Sequence, residues 1–195
     1  MNEKPHRTRM DEFRSTLADY KSIGPWALGG TVFVPLADYA IRLGPPWPDG
    51  LAIITSIVEL LVVLTVFHFW YRSSYKRASR RMLLAIALLV GCFGVYLYLN
   101  SLFTFTAGAN AAKYVKGYAV RPDVAPLITA DFTVDDALAS SEYNTEAVWT
   151  KGSIAVMRII LLFLWLISFA LLSMTISSFV IYHRRKRARS IGNGT

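Results

Sequence analysis

Apolar residues in this chain gather into long unbroken runs instead of short alternating ones. Residues 82–105 make 24 positions without a charge, and residues 159–182 make another 24. At ~1.5 Å of rise per residue, either run as a helix covers the ~30 Å hydrocarbon layer of a bilayer. Residues 51–71 add 21 positions interrupted only by Glu59 and His68. A fourth run, 23–42, contains Pro25, Gly29, Gly30 and Pro35. These weaken a helix in water but are common in lipid, and a kink near Pro35 is expected. Between the first two runs, residues 43–50 read LGPPWPDG, where the prolines remove amide donors and predict a tight turn. The pattern therefore predicts an all-α integral membrane protein of four transmembrane helices, with spans at about 23–42, 51–71, 82–105 and 154–182.

The polar segments have patterns of their own. In residues 1–22, Thr8 and Asp11 have capping-box spacing, and Met10, Phe13, Leu17 and Tyr20 then recur at steps of three and four. This amphipathic segment suits the lipid interface or the underside of a partner subunit. Residues 106–152 form one partly helical outer loop of about 48 residues. Within it, Thr133 is expected to start a helix over 133–141, and Asn144 to cap another that feeds into the last span.

Charge sets the orientation. Residues 1–22 hold five Lys or Arg, residues 72–81 five, and residues 183–195 five, whereas the 43–50 turn has none. Residues 106–152 have four basic groups against six acids. The positive-inside rule then places both termini in the cytoplasm and 106–152 outside, which requires an even number of spans. Tyr20, Trp26, Trp70, Tyr71 and Tyr182 fall at the inner boundary, Trp47 and Trp149 at the outer. The acids before the first span argue against a cleaved signal, and the expected location is a cell membrane, as a multi-pass protein of the bacterial inner membrane type.

Composition agrees, with 54% hydrophobic and 17% charged residues and a mean hydropathy of +0.38. The net charge of +8 and pI near 9.7 would point to nucleic acid in a soluble chain, but here the basic residues flank apolar runs. The tail residues Arg184, Arg185, Lys186, Arg187 and Arg189 are expected to meet anionic lipid headgroups, with no nucleic-acid partner. Cys92, the sole cysteine, allows no intrachain disulfide.

Ionisable groups inside spans carry the functional signal, because each is costly in lipid unless paired or hydrated. Asp38, Arg42, Glu59 and Arg158 are all reckoned to lie in the outer half, where two acids and two bases would form either a neutral interhelical cluster or an ion site. Glu59 is the deepest of them, ~12 Å below the outer end of its span, with Thr55 and Ser56 one turn earlier. His68 lies nine residues on, ~900° around the helix and so on the opposite side, which rules out a proton relay confined to that span. Gly91, Gly94, Ser173 and Ser177 have the small-residue spacing of close helix contacts. No HExxH, G-x-S-x-G, Walker loop or His/Cys cluster occurs, so no enzyme, metal or cofactor is expected.

Some layouts are comparable. The short first and long second outer loops are similar to those of tetraspanins, but the Cys-Cys-Gly motif that family uses is missing from 106–152. Small multidrug-resistance transporters share four spans and one membrane carboxylate, but carry it in the first span. In layout alone the chain resembles membrane effectors of bacterial antiviral systems, which assemble and breach the inner membrane. The expectation is a non-enzymatic building block that assembles with itself or with another membrane or cytoplasmic protein as scaffold, effector or pore. The alternative is a small ion- or proton-coupled transport unit using Asp38 and Glu59.

Overall fold

The computed structural model describes residues 43–70, 75–107, 112–129 and 132–192. The amphipathic segment and first span expected over 1–42, with Asp38 and Arg42, lie outside the described residues. What is described is mostly helical, in the order α1 (Leu51–Trp70), α2 (Tyr75–Phe103), β1 (Thr104–Ala107), β2 (Ala112–Val115), a 3-10 turn (Ala125–Leu127), α3 (Val134–Ser140), α4 (Thr145–Val148) and α5 (Lys151–Gly192).

Two helices are long and apolar enough to cross a membrane, Ser79–Phe103 and Lys151–Tyr182. A core helix of a water-soluble protein could be equally apolar, but would be mostly covered. Here only 11% and 22% of the two apolar windows are buried. α1 carries a shorter apolar stretch, Leu51–Val66. It begins directly after the proline turn, at Gly50, whose φ of +77° favours a residue without Cβ. The Gly50 carbonyl accepts from the amides of Ile53 and Ile54 and so closes the first turn. Polar side chains inside the apolar helices bond back to their own backbone: Thr55 Oγ1 donates to the Leu51 carbonyl at 2.9 Å, and Thr65 Oγ1 to that of Leu61 at 2.7 Å. This satisfies each hydroxyl donor within its own helix.

α5 packs against both α1 and α2. Its covered side runs Ile154, Met157, Leu161, Trp165, Ser168, with Ser177, Ser178 and Ile181 further along, at steps of three and four. α1 presents Leu51, Thr55, Glu59 and Val66 inward and leaves Ile53, Ile57, Leu60, Leu61 and Phe69 exposed. The polar side of α1 is thus its covered side, the reverse of a helix on a soluble protein.

The region between α2 and α5 departs from an all-helical reading. The third run was expected to stay helical to residue 105, but α2 ends at Phe103 and the chain turns into an antiparallel hairpin, with Thr104 opposite Val115 and Phe105 opposite Tyr114. β-Branched and aromatic residues at 104–106 and 114–115 favour the pleated surface, and the Phe105 and Tyr114 rings stack at 5.5 Å. α3 starts where the sequence predicts: Thr133 Oγ1 accepts from the Asp136 amide, and the Asp136 carboxylate accepts from the Thr133 amide at 2.8 Å, a reciprocal capping box. Asn144 caps α4 as expected, but Trp149 is extended, so α4 stops there and does not feed into α5. Ala137, Leu138, Val148, Trp149 and Ile154 form a small core under Phe105, Val120 and Phe132. Gly117 is needed at its edge, because a Cβ there would meet Ser153 Oγ at 2.1 Å and Trp149 Cβ at 2.8 Å.

Candidate functional site

Three helices meet around one aromatic side chain. Trp165 of α5 is 2% exposed, and its Nε1–H donates to Thr55 Oγ1 of α1 at 3.2 Å. Its ring also touches Tyr96 of α2, centroids 5.3 Å apart, and Phe169 at 4.4 Å. Thr55 is fully buried and serves twice, donating to Leu51 and accepting from Trp165. Trp165 was not singled out by the sequence; its signal is a tryptophan well inside an apolar run instead of at the boundary, where amphipathic rings are usual.

One turn beyond Thr55, Glu59 shares the same covered side and is 4% exposed. The hydroxyl of Ser173 on α5 lies beside its carboxyl. The second carboxyl oxygen, Oε2, is buried and has no partner among the described residues. Desolvating a carboxyl this way is unfavourable for the ionised form.

Among the described residues, Glu59 has Ser173 beside it and not Arg158. Arg158 precedes Ser173 by fifteen residues on the same straight element, so it lies about 22 Å away along α5. No side chain spans that gap, and no ion pair joins Glu59 to Arg158 among the described residues. The sequence reckoning set both helices level at their outer ends, whereas α5 begins well beyond the start of α1, which lowers Glu59 toward the middle of the apolar stretch of α5.

The helix-contact residues separate in the same manner. Ser173 and Ser177 are buried within the chain, along with Ser168 and Ser178. Gly91 and Gly94 point outward, and a Cβ at either would meet nothing within 4 Å. The side chains of Arg184, Arg185, Lys186, Arg187 and Arg189 lie outside the described residues, although the backbone of α5 stays helical to Gly192.

Near the start of α1 and the end of α2, Lys113 Nζ donates to the Gly44 carbonyl at 2.9 Å and to Asn100 Oδ1 at 3.0 Å. This ties the turn before α1 to the end of α2 and the hairpin. Arg121 grips Asp123 with two hydrogen bonds, 3.0 and 2.7 Å, which hold the Asp123 carboxyl below and the Arg121 guanidinium above their ordinary values. The Asp136 carboxyl is likewise held below its ordinary value by the hydroxyl and amide of Thr133. No group of three or more His, Cys, Asp or Glu suited to a metal ion occurs among the described residues.

No known protein family, curated protein or solved structure matches this chain.

Proposed function

We infer that the chain is a non-enzymatic, multi-pass protein of a cell membrane, of four spans with both termini cytoplasmic, which works as a building block of a homo-oligomeric membrane assembly. Two long apolar helices left largely uncovered support the membrane part of this reading. The observation that carries the assembly part is the outward side of α2. Ala87, Gly91, Gly94 and Tyr98 follow one another at steps of three and four, all exposed, on the side opposite buried Ala85 and Tyr96. Ala87, Gly91 and Gly94 are small, and a second helix can bring its backbone close over them and gain dispersion contacts. A scaffold or a pore-forming effector would both be built from such units.

Native mass spectrometry of the full chain released from several mild detergents tests this directly. The expected result is one defined multimer, converted to monomer by Gly91→Leu with Gly94→Leu. A wild-type monomer in every detergent contradicts the reading, as does a double variant that loses its fold, since this side of α2 would then be packed within the chain.

A further inference from the structure

Glu59 is the one ionisable side chain that the described structure buries in the apolar layer without an ionic partner. Among the described residues the groups facing it can be enumerated. The Ser173 hydroxyl of α5 lies beside it, and α5 carries no Asp, Glu, Lys, Arg or His from Ile159 to Tyr182. α2 carries none from Met82 to Phe103. On α1 itself the other such residue is His68, nine positions on and on the opposite side of the helix. An ionised carboxylate in this setting would have the Ser173 hydroxyl beside it and leave Oε2 bare. A metal cation does not repair that. Calcium or magnesium takes about six or more oxygens, and the neighbouring Thr55 hydroxyl is already committed to Leu51 and Trp165. A proton lowers the cost, since it removes the charge and leaves a neutral carboxyl, which is far less expensive to bury.

We propose that the Glu59 carboxyl, lodged between α1 and α5 against Ser173, is an intramembrane proton-binding site that takes up and releases a proton while the helices stay packed. The proposal rests on the membrane reading above but not on the assembly. The proton adds to a carboxylate oxygen, and its release restores the carboxylate with no other bond changed.

The test uses the full chain in native membranes, washed first with alkaline carbonate. Dicyclohexylcarbodiimide, an apolar reagent that attacks protonated carboxyls, is applied over a pH series with and without sodium or potassium, and the peptide bearing Glu59 is read by mass spectrometry. Expected is labelling of Glu59 that falls by up to about tenfold per pH unit on the alkaline side, is indifferent to either cation and persists in Arg42→Gln. Glu59→Gln, which keeps the shape of the neutral acid, should leave thermal stability unchanged and remove the carboxylic-acid carbonyl band from the infrared spectrum. An unreactive wild type that becomes reactive in Arg42→Gln overturns the proposal in favour of a fixed ion pair. Protection by sodium or potassium overturns it in favour of a cation site. Recovery of the chain in the carbonate supernatant overturns the membrane reading and the proposal together, whereas a membrane-retained chain with an inert Glu59 overturns the proposal alone.

Discussion

Replacing Trp165 with phenylalanine probes a residue through which α1, α2 and α5 all touch. The substitution keeps a ring between Tyr96 and Phe169 but removes the Nε1–H that Thr55 Oγ1 accepts at 3.2 Å. Hydrogen bonds between membrane helices average about 0.6 kcal/mol and reach about 1.7 kcal/mol. Thr55 keeps its bond to the Leu51 carbonyl, so its hydroxyl is not stranded and the loss stays within that range. The smaller ring adds a packing loss of about 1 kcal/mol, giving about 1.6–2.7 kcal/mol in all. Trp165→Ala also gives up both ring contacts and leaves a cavity, for about 3–5 kcal/mol. Equilibrium unfolding in mixed micelles, followed by circular dichroism, reads both values. A double-mutant cycle with Thr55→Val isolates the hydrogen bond and should return a coupling of about 0.6–1.7 kcal/mol. A coupling below about 0.3 kcal/mol, within the scatter of independent sites, refutes Trp165 as the tie between α1 and α5.

The region between α2 and α5 yields further expectations. Gly117→Ala should destabilise it by about 1–3 kcal/mol, because the new Cβ cannot clear Ser153 and Trp149, and amide exchange at residues 112–129 should accelerate while α2 stays protected. Thr133→Ala should cost about 1 kcal/mol through the lost cap, seen as faster exchange in α3. Because Asp136 titrates below its ordinary value when folded, its share of the cap is present above the unfolded value near pH ~4 and fades as pH falls through the lower folded value. Exchange in α3, corrected for the intrinsic rate at each pH, should show that loss in wild type and not in Asp136→Asn.

How far the structure was legible in the sequence depended on whether a feature is local. The apolar runs that became α2 and α5 could be read directly, since a charge-free stretch of that length has few uses outside a bilayer. The Thr133 capping box was equally plain, being a contact over three residues. The hairpin at Thr104 was hidden because Phe103 and Phe105 extend the apolar run without a break, and hydropathy does not distinguish a helix end from a strand start. Small residues could be located but not aimed: the same spacing that buries Ser173 and Ser177 leaves Gly91 and Gly94 outward. The depth of Glu59 was legible only relative to its own helix. Its neighbour depended on the stagger between α1 and α5, a tertiary quantity that exchanged Arg158 for Ser173.

The claim on which the rest depends is that the chain crosses the membrane with residues 106–152 outside. Ser140 is exposed at the end of α3, and Cys92 can be removed as the competing thiol. In intact cells expressing the Cys92→Ala, Ser140→Cys protein, a membrane-impermeant maleimide should label the new cysteine as fully as it does after permeabilisation. Labelling only after the cells are permeabilised would put this region in the cytoplasm and contradict the account.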